Sequence, residues 1–220
     1  MITYSDTFDH QFDNIKHYQK YPVMKPYVGI NYPSAVAKIM LIAESHYLPK
    51  ESQASLNPQA WYEGSQRDLN DSERGWINTK QIVSGHWNNG GHRIYKELNN
   101  RLGKVITNTD EHRPMASTVF MNGFQRPSPK TGDSIKNFVD STDLSMGRNT
   151  ISQVIDIVNP DLVLFTSIYA WRLLGRKIDR KNNIKYDYVC HPGTGGRYWH
   201  KDEYSNGCKK FDQLIHTAFL

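Results

Sequence analysis

The sequence predicts an α/β fold: a three-layer α/β/α sandwich around a central four-stranded parallel sheet, in a single domain spanning residues 1–220. Three observations predict it. Short strand-like runs, too short for helices, recur around 39–43, 117–121 and 161–166, and Tyr186, Asp187, Tyr188, Val189 and Cys190 read as a fourth. Stretches with helical apolar spacing separate them, which is the alternation of a parallel sheet covered by helices. Polar side chains follow the runs abruptly: Glu44, Ser45, His46 and Tyr47 after the first, Asn122 after the second, and His191 after the last. In open parallel sheets, ligands bind beyond the carboxyl ends of the strands.

Each element follows from its residues. Phe8, Phe12 and Ile15 recur at helical spacing, predicting an amphipathic helix over 6–19. Pro22, Pro26 and Pro33 oppose regular helix and predict an extended lead-in. Ile39, Met40, Leu41, Ile42 and Ala43 read as a strand buried on both faces. Residues 48–90 are polar and broken by Gly64, Gly75, Gly85 and the Gly90, Gly91 pair, predicting a long irregular connection of functional or mobile character. Its aromatic residues Trp61, Tyr62, Trp76 and Trp87 are expected to pin that loop to the core rather than to stack on a ligand.

Ile94, Tyr95, Leu98 and Leu102 predict a helix over 92–102 that ends at Gly103. A strand over 117–121 ends at Asn122 and Gly123; a helix over 145–158 carries Ile151, Val154, Ile155 and Val158. A third strand over 161–166 leads to a helix over 168–174, stopped by Gly175. A fourth strand over 186–190 runs into His191, Pro192 and a glycine-rich loop, and a last helix covers about 208–219.

The composition narrows the function classes. There is no run of 18 apolar residues, so no membrane span is expected. The polar start of the sequence argues against a signal peptide. Two cysteines, Cys190 and Cys208, make no disulfide framework and cannot supply four thiolates to an iron–sulfur cluster, so a reduced, cytoplasmic protein is expected. Cys190, His191, His200 and Cys208 are metal-type ligands, but their spacing matches no standard zinc pattern. The net charge of +5 suits a polyanionic partner, though charge alone supports that reading weakly.

If the strands are parallel, the polar clusters at 44–47, at Asn122 and at His191 share one rim. In that order they resemble the uracil-DNA glycosylase superfamily. Ala43, Glu44, Ser45, His46 and Tyr47 stand where the family has Gly-Gln-Asp-Pro-Tyr or Gly-Glu-Ala-Pro. Asn122 stands at the base-reading Asn, and His191, Pro192 and Gly193 stand at the family's His-Pro-Ser. The segment from Arg93 to Leu98 is similar to its Asn-Ile-Tyr-Lys-Glu-Leu helix, and the likeness extends over about residues 35–200.

The resemblance implies a monomeric base-excision glycosylase acting on single- or double-stranded DNA with a modified base, without metal or cofactor. His191 would donate to the departing base, Asn122 would read its edge, and Tyr47 would crowd its C5 position, with His46 beside them. Glu44 and Ser45 complete the catalytic set, while Gly193, Thr194, Arg197, Tyr198 and Trp199 would contact DNA or fill the gap left by a flipped base. Three positions depart from the family: Ser45 replaces a water-activating Asp, His46 replaces Pro, and Gly195 falls about where the intercalating Leu stands. Two other readings stay open. One is a non-catalytic nucleobase- or nucleic-acid-binding module on the same fold. The other is a serine hydrolase using Ser45 and His191, although Ser45 lacks the flanking glycines of a nucleophile elbow.

Overall fold

The computed structural model describes residues 3–86, 93–106, 113–201 and 206–219. Its sheet contains β1 (Tyr27–Val28), β2 (Ile39–Ala43), β3 (Thr118–Asn122), β4 (Leu162–Phe165) and β5 (Lys185–Tyr188) in the order β1-β3-β2-β4-β5. The four anticipated strands run parallel to one another, with Ala43 beside Asn122 and Ile42 beside Phe165. The expected four-stranded parallel sheet is nevertheless corrected to a five-stranded mixed one. β1 pairs antiparallel with β3, Tyr27 opposite Phe120. A strand of two residues after Pro26 has no periodicity to detect, and β1 exists because β3 supplies its partner. The pairing is close: a Cβ on Gly29 would lie 2.1 Å from the Ala116 carbonyl oxygen, so only glycine fits.

The expected helix over 6–19 is broken into α1 (Asp9–Phe12) and α2 (Lys16–Lys20). Ile15 between them adopts an extended backbone. Phe12 and His17 are both buried, although one straight helix would point them roughly 140° apart. The proline-rich lead-in is partly coiled rather than extended, with 3-10 turns at Pro22–Met24 and Tyr32–Ser34.

Residues 48–86 of the expected irregular 48–90 connection are not irregular. They hold α3 (Pro58–Glu63), α4 (Asp71–Ile77) and α5 (Thr79–His86). Caps rather than apolar stripes mark α3 and α4. Asn57 Oδ1 accepts from Ala60 N at 3.0 Å, and Asn70 and Glu73 form a capping box. Trp61 ties α3 down by stacking on Tyr21 at 4.4 Å and donating from Nε1 to the Gln125 carbonyl at 3.1 Å. Trp87 lies outside the described residues.

α6 (Arg93–Leu102) joins β2 to β3, and α7 (Ser141–Val158) joins β3 to β4. α8 (Ile168–Ala170) runs into a π turn over Trp171–Gly175, and α9 (Cys208–Ala218) closes the chain. β2 shows how both faces of the sheet are filled. Ile39, Leu41 and Ala43 pack with Leu98 of α6 and Phe211 and Ile215 of α9. Met40 and Ile42 pack on the other side with Ile151 and Val154 of α7, Phe12 of α1 and Trp61 of α3. Each fully buried aliphatic side chain contributes about 1.5–3 kcal/mol relative to exposure, so the sheet centre holds the fold.

A buried ion pair fastens the 48–90 segment to this frame. Arg126 and Asp143 are both fully buried, with Nε to Oδ1 at 2.9 Å and an Nη to Oδ2 at 2.6 Å. Arg126 also donates to the carbonyls of Ser55 and Phe138 at 2.6 Å each, and Tyr62 donates to Asp143 at 2.9 Å.

Candidate active site

β2 lies between β3, reached first, and β4, reached next, so the chain reverses its winding there. A crevice opens at such a point beyond the strand ends. Here it is a cleft of about 540 Å³, lined by Glu44, Ser45, His46 and Tyr47 from β2, Asn122 from β3 and His191 beyond β5. Ladder spacing alone would leave the ends of β3 and β5 roughly 14 Å apart. The chain closes that gap after β5. Val189 N still bonds the Phe165 carbonyl at 2.8 Å, but Cys190 N leaves the ladder for the Asn206 carbonyl at 2.7 Å.

Asn122 ends β3 and is 6 % exposed. Its carbonyl accepts from Gln125 Nε2 at 2.6 Å, yet its side-chain amide has no hydrogen-bond partner among the described residues. Gly123 follows, and its carbonyl would lie 2.8 Å from a Cβ on Gly147, so α7 presses directly on the strand end. A buried amide facing a cleft without a partner among the described residues has both its donor and its acceptor available there.

His191 is held by its own loop. Its Nδ1 accepts from Gly193 N at 3.0 Å, which places the ring proton of the neutral form on Nε2. Burial lowers its pKa, with Glu44 acting in the opposite direction. At neutral pH the ring is therefore an uncharged N–H donor at the cleft.

Glu44 is clamped by hydroxyl groups from two other loops. Ser134 donates to its Oε1, and Ser167, just beyond β4, donates to its Oε2 at 2.7 Å. Ser167 in turn caps α8, its Oγ accepting from Ala170 N at 3.2 Å. Glu44 thus ties the ends of β2 and β4 to the loop that carries Ser134. Ser45 lines the cleft, and no hydrogen bond joins it to His191 among the described residues.

His46 is 5 % exposed, and burial lowers its pKa to about 3. Its Nε2 lies 3.1 Å from Thr79 Oγ1, which donates its own proton to the Met24 carbonyl at 3.3 Å. His46 Nε2 is accordingly the donor, and α5 is anchored to the cleft wall through Thr79. Tyr47 is half-buried, and burial raises its pKa, with Glu44 and Asp133 adding to the shift.

The structure divides the expected DNA-contacting set. Gly193 and Thr194 line the cleft within a 3-10 turn over Pro192–Arg197. Arg197 is exposed and Tyr198 is 40 % exposed. Trp199 is corrected: it is fully buried, donates from Nε1 to Glu97 at 3.1 Å and packs on Phe211, so it cannot act as a wedge. Trp76 is corrected in the other direction. It does not pin its loop to the core; it is 42 % exposed and lines the cleft. Nothing in the local sequence marks Ser134 or Thr79 as site residues, and Arg93 and Trp76 stand out in the sequence only as part of a helix and as a loop aromatic. Ser167 was within reach, since it follows β4 as Glu44 follows β2.

A second hollow of about 460 Å³ lies between α7 and residues 177–179, but its Arg148 is committed to the Leu173 carbonyl at 2.8 Å. No group of three or more His, Cys, Asp or Glu arranged for a metal occurs among the described residues. No helix among them is long and apolar enough to cross a membrane.

No protein-family model matches this chain, and no curated protein is significantly similar to it in sequence.

Proposed function

We propose that this protein is a uracil-DNA glycosylase-like, monomeric, cytoplasmic DNA-repair hydrolase on a three-layer α/β/α sandwich, cleaving the N-glycosidic bond of uracil or a related damaged base. One observation carries the reading: the Asn122 amide, without a partner among the described residues, and the Nε2–H of His191 line a single cleft. Breaking an N-glycosidic bond puts negative charge on the base and positive charge on the sugar. A neutral imidazole N–H stabilises the first, and a fixed carboxylate such as Glu44 stabilises the second. Asn122 supplies the donor and acceptor that a uracil edge requires. Ser45 positions water in place of a carboxylate.

The test is a panel of oligonucleotides, each with one modified base, scored for alkali-labile breaks. Excision of uracil or a related base that disappears in His191→Ala supports the proposal. No excision from any member overturns it.

One observation favours the non-catalytic module as a second reading: both Glu44 oxygens accept from serine hydroxyls, and Ser45 is a poor base. Tight binding of a modified base without excision would select it. The serine hydrolase reading is weaker, because the His191 nitrogen held by Gly193 is the acceptor and the other carries the proton. Resistance to a fluorophosphonate probe is the expected result.

A further inference from the structure

The mouth of the cleft is unlike its floor. Trp76, near the end of α4, exposes 42 % of its surface while its neighbour Ile77 is fully buried. An indole left open to solvent beside a polar recognition site has a face available for stacking. It is not on a loose loop. Ile77 anchors the end of α4, and the following helix is fixed through Thr79 to Met24 and His46. Arg93, also lining the cleft, is exposed and forms no hydrogen bond or ion pair among the described residues. An exposed aromatic ring and an exposed guanidinium lining one cleft are the pairing that binds unpaired nucleic-acid strands, the ring taking a base and the cation a phosphate.

The stretch from Gly193 to Trp199 lacks what a duplex would require. Extracting a base from a helix leaves a gap that an inserted side chain must fill. Residues 193–196 are Gly193, Thr194, Gly195 and Gly196, and Trp199 is buried against Glu97 and Phe211. Tyr198, 40 % exposed, is the other aromatic residue of this stretch, so it is the competing wedge.

Building on the glycosylase reading, we infer that the cleft takes single-stranded DNA, with Trp76 stacking on a base next to the one held by Asn122 and His191 and Arg93 contacting the intervening phosphate. The residue that selects the unpaired strand thus belongs to the 48–90 segment and not to the strand-end motifs.

The test measures anisotropy of a labelled oligothymidine and of the same strand in duplex with oligoadenine, using the full chain. The single strand is expected to bind more tightly. Trp76→Ala should weaken single-strand binding about 5- to 150-fold, the range of one lost base–aromatic stack. Trp76→Phe should keep most of the affinity, and Trp76→Gln repeats the loss if the alanine variant does not fold. Equal or tighter duplex binding, unchanged single-strand binding in both Trp76→Ala and Trp76→Gln, or a loss produced by Tyr198→Ala instead, would overturn the inference. Excision assays keep the two proposals apart. Trp76-dependent single-strand binding without excision leaves this inference standing and removes the glycosylase; efficient excision that ignores Trp76 and prefers duplex does the reverse.

Discussion

The backbone N–H of Gly193 donates to His191 Nδ1 at 3.0 Å, and this one bond decides which nitrogen of the ring can act in the cleft. A Cβ at position 193 would fall 2.8 Å from His191 Cε1 and 2.9 Å from Nδ1, so the bond and the glycine require each other. Gly193→Ala should displace the ring while leaving the fold intact. Displacements of about 1 Å in a catalytic group can cost about 100-fold in rate. Excision kinetics and a thermal melt of the same variant check both halves. His191→Ala should lower turnover by about 100- to 1000-fold, the cost typical of one lost anion-stabilising donor, with DNA affinity little changed. Equal losses in turnover and affinity would make His191 a binding residue.

Asn122→Leu removes an amide that pairs with no described residue and keeps similar bulk. Stability should therefore hold or rise slightly, since no protein hydrogen bond is lost. Base excision should disappear because the pocket can no longer read an edge. Circular dichroism, urea unfolding and excision from uracil-containing single strands form the measurement. Undiminished excision would remove Asn122 from the site.

Arg126 and Asp143 are each fully buried and satisfied by each other and by the Ser55 and Phe138 carbonyls and the Tyr62 hydroxyl. Removing one partner strands the other charge. Asp143→Ala should destabilise the protein by about 3–5 kcal/mol in urea unfolding. A loss below about 1 kcal/mol would mean that the pair does not hold the 48–90 segment to the core.

Burial lowers the pKa of both His17 and His46 from 6.5 to about 3, with Lys20 and His46 adding to the shift at His17. The unfolded chain then binds more protons than the folded one between these values. Stability is fully present above about pH 6.5 and is lost as pH falls toward 3, by up to about 1.4 kcal/mol per pH unit for each ring. Thermal melts across this window should show the decline, and His46→Gln should make it shallower. An unchanged slope in both His46→Gln and His17→Phe would assign the acid sensitivity to other groups.

The short buried runs of β2, β3 and β4 and the polar residues at the strand ends are local features, and the sequence by itself determined them; β5, with Lys185 and Asp187 in it and no side chain fully buried, is marked by its tyrosines rather than by an apolar run. Period and length mark a buried strand, and the sudden polarity at Glu44, Asn122 and His191 marks its mouth. Tertiary structure decided the rest, because the deciding contacts join residues far apart in the chain. β1 needs β3 to exist as a strand. Trp199 looked like a surface aromatic until Glu97, 102 residues earlier, took its indole N–H. Trp61 and Trp76 sit on similar short helices with no sequence sign to separate them; packing on Tyr21 buried one, and no comparable partner among the described residues covered the other. The two serines that hold Glu44 lie 90 and 123 residues away, a separation no local pattern encodes. Side-chain burial depends on which elements meet, and that is settled only when the sheet and its covering helices assemble.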